Sequence, residues 1–204
     1  MFASSYPRNK EGLIVFPDDR VLRHRIFPVE IPLPAKNNLY MIEEIVLYLT
    51  KPDDLVLDPM AGGGSLMYSA KHGRVITLIE IEPEHAEGLN KNRPSFEGDI
   101  TIIEGDCRLL LPWPPVVDLI VFSPPYSNQI KSSSGMPVYD SEQRAVAEGI
   151  TSYVSHPGNL SRLNDFLFNR AMKDVYSLCF QSLKPGGYMA IIINIDVMLA
   201  KRKM

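Results

Sequence analysis

From residue 55 onward the chain alternates between two apolar spacings. Residues 55–57, 75–79, 100–103, 116–122 and 188–195 are short, nearly continuous apolar runs rich in Val and Ile. Such runs predict strands covered on both faces. Between them the spacing becomes helical. Leu39, Ile42, Ile45, Val46 and Leu49 share one face, which predicts a helix over 36–50 with Asn37 or Asn38 as its N-cap. A second helix is expected over 65–72, closed by Gly73 as a left-handed cap, and a third from Pro83 to about Asn92. A long helix over 163–183 offers Phe166, Leu167, Met172, Val175, Tyr176, Leu178 and Cys179 for burial. Strand and helix in alternation predict an α/β fold, a doubly wound, mainly parallel, Rossmann-like sheet.

Two stretches break the pattern. Residues 1–35 carry Pro7, Pro17, Pro28, Pro32 and Pro34 with little periodicity, and read as an extended arm with a short strand at 13–16. Its basic cluster, Arg20, Arg23, His24 and Arg25, is either a solvated turn or a phosphate contact beside a substrate cleft. From about 127 to 164 Ser, Gly and Asn rise and periodicity is lost, as in a lid or binding loop inserted into the domain at 36–204. Tyr139, Gly158, Asn159, Leu160 and Asn164 lie there as candidates for closing the cleft.

Composition narrows the class only a little. The 204 residues suffice for about one domain, and 45% apolar with 22% charged content is that of an ordinary globular protein. No apolar run nears the roughly 20 residues that cross a bilayer. Met1 to Lys10 has no apolar core of a secretory signal, and Cys107 and Cys179 stand far apart without metal-ligand spacing. Two reduced thiols in a cytoplasmic protein are expected, with no metal. The net charge of -3 is not that of a free-standing nucleic-acid clamp.

The candidate chemistry sits at the strand ends. The first strand runs into Asp58-Pro59-Met60-Ala61-Gly62-Gly63-Gly64-Ser65, a strand–glycine turn–helix layout that lets backbone approach a ligand. It lacks both Gly-Lys-Ser/Thr and G-x-G-x-x-G spacing, and its leading carboxylate repels phosphate. The expected ligand is a nucleoside with a cationic tail, a description that S-adenosylmethionine fits. Asp58 would hold its amino-acid end, and the N–H groups of Gly62 to Gly64 its carboxylate or sugar. Glu80, followed by Ile81, ends the second strand where a carboxylate can take both ribose hydroxyls. Glu82, two residues on, is its rival. Asp106 follows the third strand and either accepts from an adenine amine, with the Cys107 N–H on a ring nitrogen, or caps the next helix. After the fourth strand, Ser123-Pro124-Pro125-Tyr126 offers a hydroxyl, rigid carbonyls and a ring, a holder for a planar amine.

The first of these stretches resembles motif I, and the second the D/N/S-P-P-Y/F/W catalytic motif, of the amino-methyltransferases that modify exocyclic amines of DNA. The likeness spans about residues 36–195. It implies donor contacts at Asp58, Pro59, Met60, Ala61, Gly62, Gly63, Gly64 and Ser65, ribose contact at Glu80 with Ile81, adenine contact at Asp106 with Cys107, and catalysis at Ser123, Pro124, Pro125 and Tyr126. It implies a target base flipped from the duplex, DNA as partner, and a restriction-modification setting in a prokaryote or phage. Serine in the first position puts N4 of cytosine ahead of N6 of adenine. Planar amines of RNA or of a protein glutamine are the alternatives within this chemistry, and an inactive donor-binding remnant is the alternative outside it. The family sheet continues with a helix and an antiparallel hairpin, for which the nine residues after Ile195 are too few. A fragment, or a sheet completed by a partner chain or a second copy, is therefore expected.

Overall fold

The computed structural model describes residues 2–33, 36–125 and 155–193. Tyr126, Tyr139 and most of the expected insertion lie outside the described residues. Five strands form one parallel sheet: β1 (Leu55–Asp58), β2 (Val75–Glu80), β3 (Asp99–Glu104), β4 (Val117–Phe122) and β5 (Leu183–Ile191), in the order β3-β2-β1-β4-β5. Among the described residues the helices are α1 (Arg20–Ile26), α2 (Leu39–Leu49), α3 (Pro83–Asn92), α4 (Cys107–Leu110) and α5 (Asp165–Ser182), with 3-10 helices over Ser65–His72, Arg93–Ser95 and Leu160–Arg162. Among the described residues no helix is long and apolar enough to cross a membrane.

The three central strands, β1, β2 and β4, are largely apolar and buried because their alternate residues feed two cores. Val56, Ile76, Leu78, Leu119 and Val121 pack with Leu39, Ile42 and Val46 of α2 and with Leu66, Met67 and Leu89. Leu57, Ile79, Ile120 and Phe122 face Met172, Val175 and Cys179 of α5 on the other side. The chain runs outward from β1 to β2 and β3, then returns to β4 on the opposite flank of β1. The carboxyl ends of β1 and β4 thereby adjoin at the topological switch point, where open α/β sheets leave a crevice.

Several expectations are corrected. The first 35 residues are not extended throughout, because Arg20–Ile26 is helical. Arg23 explains it: its guanidinium takes Asp19 Oδ2 at 2.9 Å, one turn back, and the Asn37 carbonyl at 2.6 Å. The strand expected at 13–16 is only an isolated bridge between Arg8 and Ile14. The helix at 65–72 winds as a 3-10 helix, with Gly73 in the expected left-handed cap at φ 76°. β5 begins at Leu183 rather than at Tyr188, and its pairing with β4 shifts register between Val117 and Leu119. Phe166 and Leu167, offered for burial, are 74% and 44% exposed on the first turn of α5.

One anchor of the arm is a buried side chain. Asn92, at the end of α3, accepts from the Val29 N–H and donates to the Val29 carbonyl, both at 2.8 Å. Asn92→Ala orphans both backbone groups, so denaturant unfolding should show a loss of about 3 kcal/mol. An unchanged unfolding midpoint would mean that Asn92 does not anchor the arm.

Candidate functional site

The first glycine turn is built by its own backbone and by two acids. Asp58 closes β1 with its side chain accepting from the Met60 N–H at 2.9 Å, which turns the chain at Pro59. The Ala61 N–H reaches the Ile79 carbonyl of β2 at 2.9 Å. Gly62 and Gly64 stand at φ 50° and 69°, in the left-handed region. Gly64 is also steric: a Cβ there would lie 2.4 Å from Leu89 Cδ2 and 2.7 Å from Met67 Cε.

Glu80 fastens this turn to the next one. Its Oε2 accepts from the Gly62 N–H at 2.6 Å and its Oε1 from the Glu82 N–H at 2.9 Å, with the carboxylate buried. The structure therefore brings Asp58, the glycines and Glu80 together at adjacent strand ends. Each Glu80 oxygen keeps a second lone pair for a ligand hydroxyl. Ile81 is half-buried beside it.

Glu82 has a different occupation. It is 2% exposed, and its carboxylate accepts from Ser155, His156 and Asn159, residues 73 to 77 positions away. Burial raises its pKa, but the hydrogen bonds from Asn159, His156 and Ser155 together outweigh this and leave it below the usual value. Asp106 does cap α4, accepting from the Arg108 N–H at 2.9 Å, and the same carboxylate takes the Arg108 guanidinium. Burial works against its charge too, and Arg108 more than compensates. Cys107 is buried next to it, its thiol pushed by burial up to about 12, as is that of Cys179. Neither is a thiolate nucleophile at neutral pH.

Asp58 contrasts with these acids. Burial, with the Glu80 charge adding to it and the Met60 bond opposing, pushes its carboxyl up to about 7. Among the described residues no lysine, arginine or histidine pairs with it. A buried carboxylate without a cation is costly to ionise, and an arriving cation relieves that cost. Ser123, Pro124 and Pro125 lie half-buried beyond the end of β4, one strand across the switch point from Asp58.

The arm forms part of the wall, which its lack of periodicity did not signal. Arg23 Nη2 lies 3.2 Å from Ser65 Oγ, and Ser65 Oγ donates to the Asn37 carbonyl at 3.0 Å. Leu33 and Lys36 pack where Cβ atoms on Gly62 and Gly63 would point, Leu33 Cδ1 at 3.1 and 3.4 Å. Of the basic cluster, Arg23 is thus structural, Arg20 pairs with Asp18, and His24 and Arg25 are exposed. Of the insertion candidates, Gly158 and Asn159 meet Arg108 and Glu82, Leu160 is buried in the α5-side core, and Asn164 caps α5.

No family model matches the chain, and no curated protein does. Solved structures do. Precorrin 8W decarboxylase of Methanobacterium thermoautotrophicum is 17% identical over 87% of this chain and 71% of its own, with a TM-score of 0.50. The protein PH0851 is 13% identical over 77% of this chain and 32% of its own, at 0.51. A protein of Methanococcus maripaludis described as an S-adenosyl-L-methionine-dependent methyltransferase is 17% identical over 85% and 57%, at 0.49. With 127 solved chains matching, the likeness identifies a widely used Rossmann-like fold and leaves the chemistry to the site.

The Asp58 carboxyl makes stability pH-dependent in a readable direction. Its folded pKa lies above the unfolded value of 3.8, so its neutral form favours folding and that contribution is lost as pH rises towards about 7. Asp58→Asn keeps an acceptor for the Met60 N–H but cannot ionise. The stability of the variant relative to the natural chain should therefore increase between pH 4 and 7 and level off above, by about 4 kcal/mol in all. A pH-independent difference in urea midpoints would refute the buried ionisation.

Proposed function

We propose that the chain is an S-adenosylmethionine-dependent methyltransferase acting on the exocyclic amine of a base in DNA, N4 of cytosine ahead of N6 of adenine. One juxtaposition carries the reading: the Asp58-to-Ser65 turn follows β1 and Ser123-Pro124-Pro125 follows the adjacent β4. The buried Asp58 carboxyl, which has no cationic partner among the described residues, fits a donor with an ammonium tail.

The donor supplies an electrophilic methyl group on a sulfonium. In this reading Asp58 takes the donor's ammonium and the glycine N–H groups face its carboxylate. Glu80 accepts from the ribose hydroxyls through its remaining lone pairs. Asp106 accepts from the adenine amine, for which Arg108 must yield part of its hold. The Ser123 oxygen and the Pro124 carbonyl accept the hydrogens of the substrate amine, aiming its lone pair at the methyl carbon, and Tyr126 stacks on the base. The amine nitrogen forms the new bond to carbon, the sulfur keeps the electron pair of the old one, and the excess amine proton leaves to water. No strong base is needed, so positioning and a desolvated site supply the acceleration.

The decisive experiment incubates the chain with labelled donor and duplex DNA and digests the product to nucleosides. Label on N4-methylcytosine or N6-methyladenine supports the reading. Label only on RNA, on a protein glutamine or on C5 of cytosine overturns the DNA-amine assignment. Tyr126→Ala and Pro124→Ala should lower turnover about 100-fold or more with donor affinity nearly kept, whereas Asp58→Ala should weaken the donor at least about tenfold. Equal loss of donor binding in all three would refute this division of roles.

A pH profile adds an independent check. Below pH 7 the free Asp58 is largely neutral, and a bound ammonium favours its ionised form, so binding should release a proton. Calorimetry in buffers of different ionisation enthalpy should show that release, and an affinity that rises with pH up to about 7.

A further inference from the structure

The four hydrogen bonds on Glu82 divide between its two oxygens in a way that fixes a segment of chain. Oε2 accepts from the Ser155 N–H at 2.9 Å, the Ser155 hydroxyl at 2.8 Å and the His156 N–H at 2.9 Å. Oε1 accepts from the Asn159 side-chain amide at 2.7 Å. Asn159 cannot turn over to suit another partner. Its Oδ1 is held by the Ser161 N–H at 3.0 Å and the Ser161 hydroxyl at 2.9 Å, and Ser161 is buried. A second tether runs from Arg108 to the Gly158 carbonyl at 2.9 Å, while that guanidinium also holds Asp106. Leu160 anchors the same stretch in the core beside Leu57, Ile79 and Cys107.

The tethers end where the candidate nucleoside contacts begin. The Glu82 N–H donates to Glu80 Oε1, and Glu80 Oε2 accepts from Gly62. A continuous path of hydrogen bonds thus runs from the glycine turn through Glu80 and Glu82 to Ser155 and Asn159. We infer that Glu82 is a positioning residue, not a ligand contact: with Arg108 it pins residues 155–162 across the carboxyl ends of β2 and β3 as the fixed wall of the donor's nucleoside pocket. This rests on the donor reading above and assigns the return of the insertion a defined part in it.

The geometry makes the test atom-specific. Glu82→Gln presents an amide to the Asn159 amide, two donors face to face, so the wall detaches although the side-chain shape is kept. Asn159→Asp sets a carboxylate against the Glu82 carboxylate, with the same result. In the double variant E82Q/N159D the amide introduced at position 82 donates to the carboxylate introduced at position 159. The carbonyl oxygen of that new amide still accepts from Ser155 and His156, and the second oxygen of the new carboxylate still holds Ser161. Affinity for S-adenosylhomocysteine by calorimetry, and hydrogen exchange of residues 155–162, read the outcome.

Each single variant should weaken S-adenosylhomocysteine at least tenfold and deprotect 155–162, and the double variant should return to within about threefold of the natural chain. Single variants that bind like the natural chain would overturn the wall. So would a double variant that stays as weak as the singles, or one that restores thermal stability without restoring affinity. If a single variant fails to fold, recovery of binding in the double variant still decides the matter. The natural chain is titrated first. Its failure to bind either S-adenosylmethionine or S-adenosylhomocysteine would remove the donor reading itself, and the wall with it, before any variant is made.

Discussion

A single buried carboxylate holds the carboxyl edge of this sheet together. Glu80 stands between the Gly62 and Glu82 N–H groups, 2.6 and 2.9 Å away, and is 5% exposed. Charge-assisted bonds to backbone donors are what make burial of a carboxylate tolerable, and here they also set two turns relative to each other. The parallel register of β1 and β2, which pairs Asp58 with Leu78, brings the two turns within reach.

Two segments far apart in sequence flank the turns at the carboxyl edge of the sheet. On one side the arm supplies Leu33 and Lys36 over the glycines and Arg23 beside Ser65, held by Asp19 and Asn37. On the other, residues 155–162 come back over β2 and β3, held by Glu82 and Arg108.

Three acids at or just beyond successive strand ends have two electrostatic fates. Asp106 is satisfied by Arg108 and a helix N–H, and Glu82 by four donors from a distant segment, so both are held below their ordinary pKa against the effect of burial. Among the described residues Asp58 receives only the Met60 N–H, and burial pushes its carboxyl up to about 7. Asp58 ends β1 while Glu82 and Asp106 stand two residues beyond β2 and β3, and the difference in their charge lies in which donors the tertiary structure delivers.

Much of the fold was legible because it rests on local regularities. Alternating apolar runs marked all five strands, since a two-sided parallel sheet demands them. The helix from Pro83 to Asn92, the Asn38 cap and the Gly73 cap follow from residues next to the elements they bound, whereas Asn164, expected to close the cleft, caps α5 instead. The glycine turn after β1 and the Ser-Pro-Pro after β4 were legible for the same reason. What stayed hidden depends on pairing across long separations. The α1 helix is stabilised through Asn37 and Ser65, the arm through Asn92, and the true partners of Glu82 lie more than 70 residues away. Spacing on a strand could show that Glu80 and Glu82 were both placed for a ligand. Only the folded chain decided that Glu82 would be spent on the protein itself, because a buried carboxylate takes whichever donors the packing brings to it.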